Sequence, residues 1–256
     1  MKRFQLVNKN IQSRDVGETT RLYFFIPAIS AFPLIHVKKI ILSILILFSV
    51  TADAQNTADS TYQKVIEERS KKIINTLDIT DAVQYNKAQQ VLAGQYFQLN
   101  VIHDDSKAAI AAIKAKQLSK EEINESVKQE QEKKFITLTQ LHGQFIALLK
   151  NILTEEQVEK VKDGMTYRVL PVTWTAYMDM LQHLTQEQKD KMYAWLLEAR
   201  ELAMDEGSSD AKHAVFGKYK GKINNYLSAA GYDMKKEGED WAKRIQEAKD
   251  KKNIKN

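Results

Sequence analysis

A helical stripe of polar side chains and glycines is the part of this sequence best suited to binding chemistry. It lies between Ser208 and Gly231, where serines can cap the start of a helix and a glycine marks its end. At 100° per residue, one face of that helix consists of His213, Gly217, Lys220, Gly221 and Asn224. A glycine inside a helix costs about 1 kcal/mol relative to alanine, so two of them one turn apart predict a close neighbour. That neighbour is either another helix or a ligand held by the three polar side chains.

Two aromatic residues that precede this helix, Tyr167 and Trp174, offer flat faces suited to a sugar ring. We predict that they share a pocket with the stripe, in which an extracytoplasmic carbohydrate or its acidic derivative binds. Binding is favoured over catalysis because the sequence contains no nucleophile elbow and no phosphate-binding glycine loop. No cofactor is expected.

Carboxylates in the same half of the chain leave an enzymatic alternative open. Pairs of carboxylates can perform acid and base chemistry on a glycosidic bond, so this alternative is a carbohydrate-active enzyme. The candidates are Asp163, Asp179, Glu201, Asp205 and Glu206.

Metal binding is disfavoured by the residue types available. The chain has no cysteine and no His-Glu-x-x-His run, which removes the usual zinc patterns. His142 lies on an apolar stripe and is predicted to be a core residue with satisfied hydrogen bonds. His103 opens a His-Asp-Asp run that is predicted to form a local cap at a helix interruption.

Residues 37 to 54 have the organisation of a secretory signal peptide. Two lysines are followed by an apolar run of 11 residues, Ile40 to Val50, and by the small-x-small cleavage site Ala52 to Ala54. The apolar run is shorter than the roughly 20 residues that a spanning helix needs. We therefore predict removal of the segment, no stable membrane anchor, and a periplasmic or extracellular location.

The predicted mature chain begins at Gln55, and residues 1 to 36 are interpreted as a mis-set start or a disordered extension. Residues 1 to 54 hold 7 basic and 3 acidic residues, which leaves 31 basic and 30 acidic residues after them. Such a near-neutral chain lacks the concentrated basic surface that nucleic-acid binding requires.

The sequence from Gln55 onward predicts one all-α domain over residues 55–248, a single helical bundle of about seven or eight helices. Helix caps recur between amphipathic stretches, while the alternating patterns of strands are missing. One short extended segment is expected near Tyr167 to Val172, because Pro171 disfavours helix in the residue before it. Residues 249–256 are expected to form a frayed basic tail. In the helix that follows Ser208, the predicted core face is Val215, Tyr219, Ile223, Tyr226 and Ala230.

Two near-copies of a Leu-Thr-x-x-Gln segment begin at Leu153 and Leu184. Their threonine and glutamine spacing predicts two capped helix starts. The pair also resembles the motifs of small periplasmic helical chaperones of the Spy type. That resemblance implies a second alternative, a chaperone-like binder of unfolded chains.

Several runs in the second half of the chain resemble one exported bacterial family, catalogued as domain of unknown function thirty-eight twenty-six. The runs are Lys162 to Tyr167, Pro171 to Thr173, Glu198 to Glu201, and Phe216 to Asp233. The resemblance implies a setting in polysaccharide-degrading Gram-negative bacteria, and it carries no assigned catalytic residues. Together with the polar stripe, it favours an exported, non-catalytic binding module that acts in extracytoplasmic glycan handling.

Overall fold

The computed structural model describes residues 56–254, with side chains from residue 61 to residue 251. The predicted signal peptide and the segment before it lie outside these residues. The described part is all α-helical and contains no strand, which confirms the predicted fold class. Its eight helices are α1 (Asn56–Ile74), α2 (Ala82–Lys114), α3 (Lys120–Lys150), α4 (Glu155–Met165), α5 (Val169–Met180), α6 (Gln186–Met204), α7 (Ser209–Ala229) and α8 (Met234–Ile254).

Helix starts follow the capping signals of the sequence. Thr154 at the start of α4 and Thr185 at the start of α6 both form complete capping boxes with the glutamine three residues later. Each box satisfies two backbone N–H groups that have no partner inside the helix. Ser208 caps α7, because its hydroxyl oxygen accepts a hydrogen bond from the Ala211 N–H.

The predicted extended segment is wrong, because α5 already begins at Val169. Tyr167 and Arg168 are both left-handed, with φ of 56°, and they form the sharp turn between α4 and α5. Pro171 lies in the first turn of α5, where a backbone N–H has no helical partner in any case. The proline therefore starts a helix here instead of preventing one.

Two hydrophobic cores divide the helices between them. The first core joins α1, α2, α3 and α4, with Leu92, Leu149 and Val161 at its centre. The second joins α5, α6 and α7. Met204, the last residue of α6, belongs to the first core, while Ala203 before it belongs to the second. The end of α6 is thus the place where the two cores meet.

The core face of α7 agrees with the prediction only in part, because Ile223 is the one predicted residue that is fully buried. Its buried residues are Lys212, Phe216, Ile223 and Leu227, whereas Ala230 is exposed. Val215, Tyr219 and Tyr226 are half-buried at the edge of the second core.

The last helix, α8, continues through Ile254, so the tail that was expected to fray is helical as far as the structure describes it. Asp233 starts this helix by accepting hydrogen bonds from the Lys235 and Lys236 N–H groups. No glycine or proline follows Gly238, which explains why the helix is not interrupted.

No helix among residues 56–254 is both long and apolar enough to cross a membrane.

Candidate functional site

The predicted polar stripe of α7 is exposed along its whole length: His213, Gly217, Lys220, Gly221 and Asn224. A Cβ atom added at Gly217 or at Gly221 would meet nothing within 4 Å. The close neighbour that the two glycines predict is therefore absent from the described residues.

Contacts of the stripe with other elements occur at its two ends. The His213 ring stacks on Tyr167, with ring centroids 5.4 Å apart and an angle of 15° between the planes. At the other end, the Tyr177 hydroxyl donates a 2.7 Å hydrogen bond to Asn224 Oδ1. Trp174 lies instead against Tyr193 of α6, edge to face at 4.9 Å. Of the two aromatic residues predicted for this site, the structure brings only Tyr167 into ring contact with the stripe.

Replacing Gly221 by alanine is expected to raise the free energy of unfolding by about 1 kcal/mol, because the added methyl meets no atom and alanine favours helix. Gly217→Ala should act in the same way. Urea unfolding of each variant measures the effect. Gly164→Ala in α4 is the opposite control, since its Cβ would lie 2.9 Å from two carbons of Ile73. Destabilisation by Gly221→Ala would mean that the stripe does have a close neighbour.

A small cleft opens beside Tyr167, and we call it the tyrosine cleft. It contains about 30 Å³ of free space, which is room for one or two water molecules. Three tyrosine rings line it together with two cationic side chains, an asparagine, a leucine and the turn between α6 and α7. These residues are Tyr62, Arg69, Tyr96, Leu99, Asn100, Tyr167, Glu206, Gly207, Ser208, Ser209 and Lys212.

A Schellman turn places Tyr167 at this cleft. The Arg168 N–H donates to the Asp163 carbonyl at 2.7 Å, and the Tyr167 N–H donates to the Gly164 carbonyl at 3.3 Å. The left-handed position of such a turn usually holds glycine, since a side chain there is strained by roughly 1–2 kcal/mol. Here the position holds a tyrosine that remains 45% exposed.

Lys212 lines the cleft and caps the end of α6. Its side chain is buried, and Nζ donates 2.9 Å hydrogen bonds to the carbonyls of Ala203 and Met204. The last turn of α6 has no basic residue of its own, so this lysine supplies the positive charge that a helix C-terminus favours. Burial lowers the pKa of Lys212 to about 8, although the nearby carboxylates of Asp205 and Glu206 oppose this shift.

Two histidines hold the turn that follows α6. His103 Nε2 lies 2.7 Å from the Asp205 carbonyl oxygen, and its ring packs against Gly207 so closely that a Cβ there would come within 2.8 Å of it. His103 sits inside the continuous helix α2, so the predicted helix interruption is wrong. His142 Nδ1 lies 3.0 Å from an Asp205 carboxylate oxygen, and its Nε2 lies 3.3 Å from Glu201.

Four of the five carboxylates considered for catalysis, all except Glu206, form ion pairs or hydrogen bonds with other side chains. Burial alone would raise the pKa of Glu201, but the hydrogen bond from His142 and the charges of Lys162 and Arg200 lower it to about 2. Asp163 pairs with Arg200 at 2.7 Å. Asp179 accepts a 2.6 Å hydrogen bond from the Trp241 indole N–H. Glu201 is therefore ionised at neutral pH, which does not suit a general acid.

Comparison with known proteins identifies the family of this chain. Residues 63–247 match the model of the family described as "Protein of unknown function (DUF3826)". The chain belongs to this family. The DUF3826 match includes every residue of the tyrosine cleft except Tyr62, and the family description assigns no activity. No curated protein is significantly similar to the chain.

The histidine between two carboxylates gives this DUF3826 protein a predicted pH dependence. Hydrogen bonds to Asp205 and then to Glu201 raise the pKa of His142 from 6.5 to about 9, against the opposing effect of burial. Protonated His142 therefore stabilises the fold fully below pH 6.5, and this contribution is lost as the pH rises through about 9.

We expect the wild type to lose on the order of 2 kcal/mol more stability than His142→Gln across this pH range. The measurement is urea unfolding at a series of pH values. The comparison of the two proteins isolates His142, because Lys212 is present in both. By itself, Lys212 would make each protein more stable as the pH rises above 8. His183, which is exposed, provides the control: His183→Gln should keep the wild-type profile. Identical slopes for wild type and His142→Gln would show that the carboxylates do not stabilise the imidazolium.

Proposed function

We propose that the chain is an exported, non-catalytic binding protein that holds an acidic sugar of extracytoplasmic glycans at the mouth of the tyrosine cleft. The observation that carries the proposal is the left-handed conformation of Tyr167. Strained residues of this kind persist where the surrounding structure enforces them, and they cluster at binding sites. Here the strain places an exposed aromatic ring beside a polar cleft and against His213.

The charges of the cleft favour an anionic group on the ligand. Among the lining residues, Arg69 and Lys212 are cationic and only Glu206 is anionic, while the Asp205 carboxylate lies near Lys212 without lining the cleft. The cleft also includes the first residues of α7, and the N-terminus of a helix favours an anion. A uronic acid combines a carboxylate with a sugar ring that can lie on an aromatic face.

The size of the cleft limits where the sugar can lie. The free space is too small for a sugar ring, so only the carboxylate enters, in place of water. The ring then lies outside, against Tyr167. Binding is preferred to catalysis because Asp163, Glu201 and Asp205 are already paired with Arg200 or His142, so Glu206 in the cleft has none of these three as an available second carboxylate.

Export is the part of the proposal that depends on the sequence before residue 56. It rests on the basic start, the apolar run and the cleavage site at Ala52 to Ala54. Intact-mass measurement of the protein recovered from the periplasm or the medium tests it. The expected species begins at Gln55, and a species that keeps Ile40 to Val50 would contradict export by cleavage.

The binding test replaces Tyr167 by glycine. This change relieves the left-handed strain and removes the aromatic ring, so we expect stability to be kept or raised by about 1 kcal/mol while sugar binding is lost. Arg168→Gly is the matched control, because it relieves the same strain in the next residue and leaves the ring in place. Calorimetric titration with galacturonate and glucuronate, and with galactose and glucose as uncharged counterparts, measures binding.

Three outcomes would contradict the proposal. Wild type that binds none of these sugars, equal binding of charged and uncharged sugars, or undiminished binding by Tyr167→Gly would each rule out an acid-sugar site at Tyr167. If the wild type suppresses aggregation of an unfolded client protein and binds no sugar, the chaperone-like alternative is favoured instead.

A further inference from the structure

Aromatic rings and lysines from α6 and α7 form a second cluster, distinct from the tyrosine cleft. Lys222 Nζ lies 4.4 Å from the centre of the Trp195 ring, and Lys191 Nζ lies 4.5 Å from that of Tyr226. The Trp195 and Tyr226 rings meet edge to face at 5.4 Å, and the centre of the Tyr219 ring also lies 5.4 Å from Lys222 Nζ. We call these five residues the lysine–aromatic platform.

The two ammonium groups of the platform lack a negative partner. Contacts with aromatic rings are the only side-chain interactions of Lys191 and Lys222 within the described part of the chain. Both lie over the same ring, that of Trp195, so two like charges are held next to each other. Glu198, one turn further along α6, keeps its negative charge while it accepts a hydrogen bond from the Tyr219 hydroxyl, so the platform has two cations beside one carboxylate. Two adjacent exposed cations that form no ion pair with it are suited to an external anion.

We propose that the lysine–aromatic platform binds an anionic oligosaccharide that carries carboxylate or sulfate groups. A contact between an exposed lysine and a ring is weak, so the ammonium groups can move onto the anion. This movement frees the half-buried rings of Trp195, Tyr219 and Tyr226 to pack against the sugar.

The platform is independent of the function proposed for the tyrosine cleft. Lys222 follows Lys212 by ten residues of α7, which is about 15 Å along the helix axis. A single sugar ring does not span this distance, and no residue lines both places. The platform requires an oligosaccharide with several charges, whereas the cleft admits one carboxylate.

The test compares two double variants that remove the same charge. Lys191→Gln with Lys222→Gln removes the platform cations, and Lys107→Gln with Lys114→Gln removes two lysines of α2. Calorimetric titration uses an oligogalacturonate, a heparin-derived oligosaccharide and a neutral malto-oligosaccharide as probes. We expect the platform variant to bind the charged probe about tenfold more weakly than the wild type, as the loss of two exposed ion pairs implies. The control variant should bind as the wild type does.

The indole N–H resonance of Trp195, assigned with Trp195→Phe, reports where binding occurs. It should shift with a charged probe and not with the neutral one, and binding should weaken as salt is raised. The charged probe that binds more tightly identifies the anion as carboxylate or sulfate. Tyr167→Gly should leave the Trp195 response intact, so a failure at the cleft is distinguishable from a failure at the platform.

Three results would overturn the inference, provided that circular dichroism shows all variants to be folded. One is equal weakening by the two double variants, which would mean that only net charge matters. Another is a neutral probe that binds as tightly as a charged one. The third is a wild-type protein whose Trp195 resonance responds to neither charged probe.

Discussion

Truncation of Phe216 to alanine is expected to lower the free energy of unfolding by about 4 kcal/mol, the largest effect of any single change considered. The Phe216 side chain is 1% exposed and lies within the second core, between α6 and α7. Removing the ring loses its transfer free energy and leaves a cavity that the surrounding helices can only partly fill. Urea unfolding followed by circular dichroism measures the change.

Phe135→Ala provides the matched control, because it makes the same chemical change at a residue of α3 that is 53% exposed. Its expected cost is below about 1 kcal/mol, since little apolar area is removed from the interior. Similar losses for the two variants would show that α7 is not packed through Phe216.

Replacement of Arg200 by methionine should cost about 3 kcal/mol. Arg200 is buried on α6 and pairs with Asp163 at 2.7 Å and with Glu159, while Glu201 lies 3.4 Å away. These two hydrogen-bonded carboxylates raise the pKa of Arg200 despite its burial, so the guanidinium is charged at any ordinary pH. Methionine fills a similar volume but leaves partly buried carboxylates facing each other with less positive charge.

The control for this variant is Lys160→Met, which removes the cation of an exposed ion pair on α4. Lys160 and Glu156 lie 3.0 Å apart on α4 with side chains 42% and 79% exposed. Exposed pairs contribute little, so Lys160→Met should change stability by less than about 0.5 kcal/mol. If Arg200→Met is as mild as Lys160→Met, the buried ion cluster does not hold α4 against α6.

The sequence predicts helix starts correctly where the capping signal lies within a few residues. The capping boxes at Thr154 and Thr185 involve residues three apart, so their geometry can be predicted without knowing the fold. The same holds for Ser208 at the start of α7. The turn at Tyr167 was predicted wrongly because its left-handed residues carry side chains, while the usual signal for such a turn is glycine.

Lys212 shows why the core face of α7 was predicted only in part. A helical wheel ranks residues by polarity, so it assigns lysine to solvent and moves the predicted core face away from Lys212 and Phe216. The lysine is buried because the end of α6 needs a cation and has none in its last turn. The cause of this burial lies in α6, so it cannot be inferred from the sequence of α7 alone.

The tyrosine cleft could not be predicted for a similar reason. Its lining combines Tyr62, Tyr96, Tyr167 and Lys212, which come from separate elements far apart in sequence. Only Tyr167 and the neighbouring His213 carried a local signal. The glycines of the polar stripe predicted a close neighbour, whereas Gly217 and Gly221 face open space among the described residues.

The hydrogen bonds around the end of α6 imply an order of events during folding. Lys212 reaches its carbonyl partners across only 8 and 9 residues, so α6 and α7 can pair and cap each other as a local unit. His142 and His103 reach Asp205 across 63 and 102 residues, and closing loops of this length costs more chain entropy. We therefore expect the hydrogen bonds of the two histidines to Asp205 to form after the α6–α7 pair, when the first core is already assembled.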